Sequence, residues 1–217
     1  LVRAGNAHRQ LAIHSEPQVN LRKAVDHYER AAVILNGADS KKASSGQMKI
    51  LKILGDTYTS LADYYQRKES LNQAMDAYEG VLKAMGETKQ PEERTAVLTD
   101  MCSVILALYD AEKSPAHIRQ ALRCGRDALD ASRDVDTQVL KGLAMAAMGD
   151  ALTRYADVKD RKENLERAAR LYETALGLIR EGEEPGQREM IRESLAETVE
   201  KITGVGKGVN GGEGEKT

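Results

Sequence analysis

Residues 164–175 read NLERAARLYETA, and variants of this stretch occur three more times along the 217-residue chain. They are NLRKAVDHYERA at 20–31, SLNQAMDAYEGV at 70–81 and HIRQALRCGRDA at 117–128. Their second residues, Leu21, Leu71, Ile118 and Leu165, are 50, 47 and 47 residues apart. A self-similar period of this length is typical of stacked helical repeats.

Each of these stretches has the spacing of a helix, which we call the B helix. Apolar or small residues recur at offsets 0, 3, 7 and 10 from the Leu/Ile column, and these offsets lie on one helical face. The offset of seven is a tyrosine column, which holds Tyr28, Tyr78 and Tyr172, with Gly125 in the third repeat.

A second column, sixteen residues before each Leu/Ile position, holds Gly5, Gly55, Cys102 and Gly149. Apolar residues follow it at helical spacing, which predicts an A helix before each B helix. A glycine inside a helix costs about 1 kcal/mol relative to alanine. The column therefore predicts that a neighbouring helix crosses closely at this point.

The pattern predicts an all-α fold, a right-handed α-solenoid of antiparallel helix pairs with about four repeats and a C-terminal capping helix. The repeats span about 1–37, 46–87, 91–133 and 137–181, the capping helix spans 187–203, and the Gly-rich residues 204–217 form a flexible tail. The B helices are expected from about 20, 70, 116 and 164. Ser114 and Pro91 are expected to start helices, and Gly37 and Gly86 to follow helix ends.

The two ends of the array differ. An apolar stripe on the last helix predicts that it covers the end of the stack; it consists of Met190, Ile191, Leu195, Val199 and Ile202. At the other end the first A helix is short and residue 1 is not Met. We therefore expect a fragment of a longer array or protein, whose first repeat could pair with another copy.

Composition excludes several classes of function. With 32 Lys and Arg against 34 Asp and Glu, the net charge of −2 gives no case for nucleic acid. No apolar run is long enough for membrane insertion. Two cysteines, Cys102 and Cys124, are too few for a disulfide framework and are interpreted as small buried residues. The expected location is the reducing cytoplasm.

The sequence contains no recognisable catalytic or metal-binding motif. His8, His14, His27 and His117 lack the spacing of a zinc site, and the glycines at 204–208 lack that of a phosphate loop. We therefore predict no enzyme activity, metal or cofactor. The alternative, a hydrolase or redox enzyme that uses Cys102 or Cys124, predicts a reactive thiol.

The columns carry a family resemblance. Leu54-Gly55, Tyr58, Ala74, Tyr78 and Val81 in the second repeat, and Met148-Gly149, Ala168, Tyr172 and Ala175 in the fourth, resemble the tetratricopeptide repeat superfamily. The resemblance covers about residues 1–181. The unit here is 47–50 residues instead of about 34, the usual closing Pro is missing, and the third repeat departs most, with Cys102 and Gly125.

This resemblance implies a non-catalytic scaffold whose A helices line a concave groove for a partner peptide or protein segment. Carried over by column, the groove positions are Asn6, Arg9, Gln10, Lys49, Lys52, Asp56, Thr59, Ser60, Thr99, Ser103, Asp150, Thr153 and Arg154. For any one of them, ordinary exposed helix surface is the competing interpretation.

A looser resemblance implies an alternative function. Long units with Gly-Asp/Asn in helix A and Asn-Leu…Ala…Tyr-Glu in helix B look like the repeats that accompany signalling NTPases and caspase-like effectors. In that case the chain is a sensor or regulatory domain of a larger signalling protein.

Overall fold

The computed structural model describes residues 1–36, 41–86 and 90–204, and gives the side chains of 36 and 41–44 no description. Within those ranges the chain consists of helices joined by short turns and forms no strand. The helices are α1 (Val2–His14), α2 (Pro17–Asn36), α3 (Lys41–Leu61), α4 (Arg67–Met85), α5 (Pro91–Glu112), α6 (Pro115–Ala131), α7 (Gln138–Tyr155), α8 (Arg161–Leu178) and α9 (Pro185–Thr203), with a 3-10 turn at Ser132–Asp134. Gly37 and the predicted tail at 205–217 lie outside the described residues.

The helices pack in chain order. Each A helix contacts its own B helix most extensively (α1 with α2, α3 with α4, α5 with α6, α7 with α8), and each B helix then contacts the next A helix. The apolar core is divided in the same way, into overlapping clusters over α1–α4, α3–α7 and α6–α9. The predicted all-α fold of consecutively packed helical repeats is confirmed.

The glycine and tyrosine columns meet inside each pair. A Cβ atom on Gly55 would lie 2.4 Å from Cε1 of Tyr78, and one on Gly149 would lie 2.8 Å from Cε1 of Tyr172. Gly5 faces Tyr28 in the same way, at 2.5 Å. The ring therefore lies directly on the backbone of the A helix, and no larger residue fits beneath it.

The third repeat exchanges the sizes of the two residues. Cys102 replaces the glycine of the A helix and is fully buried, while Gly125 replaces the tyrosine of the B helix. The Cys102 Sγ lies 3.6 Å from the carbonyl oxygen of Ala121 and 3.5 Å from that of Ala147, and its single proton is shared between them. A Cβ atom on Gly125 would lie 3.1 Å from the Sδ atom and 3.2 Å from the Cα atom of Met148 in α7. The loss of the ring is thus met by a larger A-helix residue and by the next A helix.

Every turn from an A helix to its B helix contains one left-handed residue at the same repeat position, Glu16, Gln66, Lys113 or Asp160. In three of these turns, a buried side chain of the B helix donates a hydrogen bond to the carbonyl oxygen of the residue that directly precedes the left-handed residue. These donors are Asn20, Ser70 and Asn164, which were expected to begin the B helices. Because the left-handed residue reverses the chain, the helices instead begin three residues earlier, at Pro17, Arg67 and Arg161.

Other boundaries follow their capping residues. Ser114 accepts a hydrogen bond from the Ala116 N–H and precedes Pro115, as predicted for an N-cap. Pro91 starts α5, and Gly86 ends α4 with φ +55°. Two starts differ from the expected spans: α3 begins at Lys41 instead of 46, and α9 at Pro185 instead of 187.

The capping helix α9 packs on α8 and touches α7. Ile191 is buried and Leu195 packs on the last core cluster, but Met190 and Val199 of the predicted stripe are exposed. The buried position near the C-terminal end is Thr198, whose hydroxyl lies 3.4 Å from that of Thr153 on α7. The predicted stripe was therefore wrong at Met190 and Val199. Hydropathy did not identify Thr198 as the buried residue, because its contact with Thr153 is polar.

The Gly149–Tyr172 contact predicts opposite effects for two Gly→Ala changes in one repeat. Gly149→Ala should lower the free energy of unfolding by about 2–3 kcal/mol, because the methyl group overlaps a buried ring. Gly177→Ala in the last turn of α8, where nothing lies within 4 Å, should raise it by up to about 1 kcal/mol through helix propensity. Urea denaturation followed by circular dichroism measures both, and an equal effect of the two changes would contradict the packing described.

Candidate functional site

The A helices present a polar surface that ion pairs connect from one helix to the next. Lys52 Nζ of α3 lies 2.8 Å from Asp100 Oδ2 of α5, and Arg154 Nη2 of α7 lies 3.4 Å from Asp110 Oδ2 of α5. Of the predicted groove residues, Lys52 and Arg154 therefore bridge neighbouring repeats. We call this face the A-helix surface.

Lys52 lies at the centre of the larger network. Its ammonium is 2.6 Å from Asp56 Oδ1 on the same helix and 5.5 Å from the centre of the Tyr78 ring. Burial lowers the pKa of Lys52, but the carboxylates of Asp100 and Asp56 outweigh this effect and hold the pKa above its ordinary value. The ammonium therefore stays charged and joins α3 to α5.

Three predicted groove residues accept hydrogen bonds from the tyrosine column. Tyr28 donates to Asn6 Oδ1 at 2.6 Å, Tyr78 to Asp56 Oδ1 at 2.8 Å, and Tyr172 to Asp150 Oδ1 at 2.6 Å. The polar residue that follows each glycine thus holds the ring of its own repeat. Ser103, at this position in the third repeat, faces no tyrosine and donates to the carbonyl of Thr99.

Burial changes the pKa values of the Asp150 acceptor and of two tyrosine donors. Burial raises the pKa of Asp150 and outweighs the hydrogen bond from Tyr172 and the charge of Arg154. It also raises the pKa of Tyr78 and Tyr172, and the carboxylates that they contact act in the same direction. The tyrosines therefore stay neutral donors at physiological pH.

The remaining predicted positions differ in how available they are to a partner. Thr59 and Ser60 donate to carbonyls of their own helix, and Thr153 is buried, with its hydroxyl near those of Tyr172 and Thr198. The expectation that Thr153 lies in an open groove was wrong, because α9 covers it. The exposed positions are Asn6, Gln10, Lys49, Ser60 and Ser103, and the half-buried positions are Arg9, Lys52, Asp56, Thr59, Thr99, Asp150 and Arg154.

A cleft opens beside Lys52, between α3, α4 and the start of α5. Its volume is about 340 Å³, and its walls are mainly apolar. Lys49, Lys52 and Glu93 contribute charge at its rim, and Lys49 is exposed and forms no ion pair with any described residue. The apolar walls are Met48, Ile53, Val81, Met85, Ala96 and Val97. The tyrosine and glycine columns did not indicate this cleft, because it is formed by residues from three helices.

The two thiols are inaccessible and weakly acidic. Cys124 is buried and donates to the carbonyl of Leu98, and burial raises its pKa to about 12. Burial raises the pKa of Cys102 further. A nucleophilic or redox thiol needs a lowered pKa and access to solvent, so neither side chain has the properties that the enzyme alternative requires.

Neither a metal centre nor a membrane-spanning helix is found among the described residues. In residues 1–36, 41–86 and 90–204, no group of three His, Cys, Asp or Glu side chains is placed to hold a metal ion. Across the same ranges, none of the helices has the length and apolarity that crossing a membrane requires.

Comparison with known proteins gives little. No protein-family model matches the chain, and no curated protein matches it significantly. Among solved structures, one similar chain is described as "Computational Design of Self-Assembling Cyclic Protein Homooligomers". It is 14% identical, with 93% of this chain and 90% of that chain covered and a TM-score of 0.34. A likeness at this level carries no inference about assembly or function.

Asp150 is half-buried and its charge is desolvated, which predicts a pH-dependent gain in stability from Asp150→Asn. The amide keeps an acceptor for Tyr172, as Asn6 does for Tyr28, and removes the cost of a desolvated charge. Because folding raises the pKa of Asp150, the unfolded state ionises first as pH rises through about 4, and the wild type loses stability there. The variant should be more stable than wild type at pH 7, and the gain should vanish below pH about 4.

Urea denaturation at pH 7 and at low pH measures this difference. Asp136→Asn, at an exposed position without an ion pair among the described residues, is the matched control and should show no such gain. Asp150→Ala should cost about 1–2 kcal/mol, because the Tyr172 hydroxyl loses its acceptor. A wild type that is more stable than Asp150→Asn at pH 7 would contradict the assignment.

Proposed function

We propose that the protein is a non-catalytic scaffold that binds a segment of a partner protein on the A-helix surface. The observation that carries the proposal is the cleft between α3 and α5, which is apolar inside and charged at its rim. Its volume of about 340 Å³ is within the range of pockets that take a ligand group. In the proposed complex, one apolar side chain of the segment enters the cleft.

The charges around the cleft divide into two kinds. Lys52 is held by Asp56 and Asp100 and maintains the spacing of α3 and α5. Lys49, one turn earlier on α3, is exposed and is available to a carboxylate or carbonyl of the segment. The walls are thus fixed before binding, which lowers the entropy cost of association.

The resemblance to tetratricopeptide repeats supports the same assignment, because the first helices of that family line a peptide-binding groove. The properties of the thiols support a binding role over catalysis by Cys102 or Cys124, since both are buried and have raised pKa values. The apolar walls and the exposed Lys49 at the rim favour a partner segment with an aliphatic or methionine side chain beside a carboxylate.

Selection from a random peptide library against the immobilised protein tests this function. Selected peptides should lose about tenfold in affinity, or about 1.4 kcal/mol, with Ala96→Arg, which fills the cleft, and with Lys49→Glu. Lys83→Glu, on the exposed part of α4 outside the cleft, is the matched charge control and should leave affinity unchanged.

Fluorescence anisotropy with labelled peptides gives the dissociation constants. Lys49→Glu keeps the result interpretable if Ala96→Arg perturbs the fold, because position 49 is exposed. Selection of no peptide, or of peptides that bind all three variants equally well, would contradict a binding site in the cleft.

A further inference from the structure

A second surface, formed by B helices, carries a concentration of arginines. Arg119, Arg123 and Arg126 lie along α6, and Arg167 and Arg170 lie on α8. All five are exposed, and none forms an ion pair with another described residue. A chain with a net charge of −2 thus has a local excess of unpaired positive charge.

The repeat alignment shows that three of these five positive charges have no counterpart in the first half of the array, whereas the columns of Arg119 and Arg167 hold Arg22 and Lys23 in the first repeat. Arg123 and Arg126 occupy the columns that hold Asp26 and Glu29 in the first repeat and Asp76 and Glu79 in the second. The repeat therefore tolerates acids here, and packing does not require arginine. Arg170 continues the first of these columns in the fourth repeat.

Nearby acids neutralise only part of this surface. Asp130 of α6 pairs with Arg133, and Glu166 of α8 pairs with Lys162. Asp127, Glu163 and Glu173 are exposed on the same two helices and form no ion pair with a described residue. Five exposed arginines thus face three acids that are not held by other residues, and the balance stays positive.

Leucines lie between the arginines. Arg119, Leu122, Arg123 and Arg126 line one shallow depression of about 380 Å³. Leu129 and Leu171 line a second, of about 370 Å³, together with Arg167 and Arg170. Leu122 and Leu129 are seven residues apart on α6, which is two turns or about 10 Å, so the two depressions follow one another along this helix.

We propose that this Arg–Leu surface (Arg119, Arg123 and Arg126 with Leu122 and Leu129 of α6, and the two arginines of α8) binds an acidic, amphipathic segment of a partner protein. Carboxylates of the segment pair with the guanidinium groups, which present forked donors. Its apolar side chains, about two helical turns apart, enter the two depressions, as in helix-in-groove recognition. This surface is separate from the cleft between α3 and α5.

The lining favours a protein segment over single-stranded nucleic acid. Nucleic-acid surfaces of this kind combine positive charge with aromatic side chains on which bases stack. The two depressions are lined instead by Leu, Met, Ala and Thr with the arginines, and contain no aromatic residue. Carboxylates next to aliphatic side chains match that composition.

A defined probe tests the surface without a known partner. The probe is a fluorescein-labelled helical peptide rich in glutamate with leucine at every seventh position, and one control peptide has serine in place of leucine. Fluorescence anisotropy should show binding that weakens about tenfold with Arg119→Glu/Arg123→Glu/Arg126→Glu. Lys23→Glu/Lys83→Glu/Lys201→Glu changes the same net charge at exposed positions elsewhere and should change affinity less than about twofold.

Several outcomes would overturn the proposal. These are equal losses with the two triple variants, equal binding of the leucine and serine peptides, or tighter binding of an oligouridylate of the same charge. Dimerisation of the free protein that the arginine variant abolishes would assign the surface to self-association instead. If the triple variant does not fold by circular dichroism, Arg123→Gln/Arg126→Gln replaces it, and unchanged peptide affinity in that variant would equally refute the proposal.

Discussion

The contact of a tyrosine ring with a glycine backbone is the constraint on which this structure depends. In three repeats the ring of the B helix lies where a Cβ atom of the A helix would be, and the hydroxyl reaches the residue after the glycine. The contact therefore fixes both the distance between the two helices and their register. In the third repeat, Cys102 and Gly125 replace both residues, and the backbone of α7 approaches Gly125 where the other repeats have a tyrosine.

The same contact organises the A-helix surface. Asp56 is held by the Tyr78 hydroxyl and by Lys52, which also reaches Asp100 on the next A helix. Packing inside one repeat is thereby coupled to the spacing between repeats, and the cleft lies beside this junction. Residues that the family resemblance assigned to partner contact thus include several that hold the walls, while exposed positions such as Lys49 remain for recognition.

Periodicity was sufficient for the fold class, because the recurring columns are the residues that pack. It was less informative about chain reversal: Gln66 adopts a left-handed conformation although it is not Gly, Asn or Asp, so residue type did not indicate that turn. The site was predicted in part. The columns indicated which residues share the A-helix surface, and partner binding at these residues stays a prediction. Burial of Thr153 depends on α9, and the cleft depends on side chains from three helices, which no single stretch of sequence describes.

A double-mutant cycle at Gly55 and Tyr78 tests the central constraint most directly. Urea denaturation would give the loss in free energy of unfolding that Gly55→Ala causes in the wild type and in the Tyr78→Ala variant. If the ring is what excludes a Cβ atom, the cost should be about 2–3 kcal/mol in the wild type. Without the ring it should disappear or become a gain of about 1 kcal/mol, because alanine favours the helix. An equal cost in both backgrounds would contradict the account.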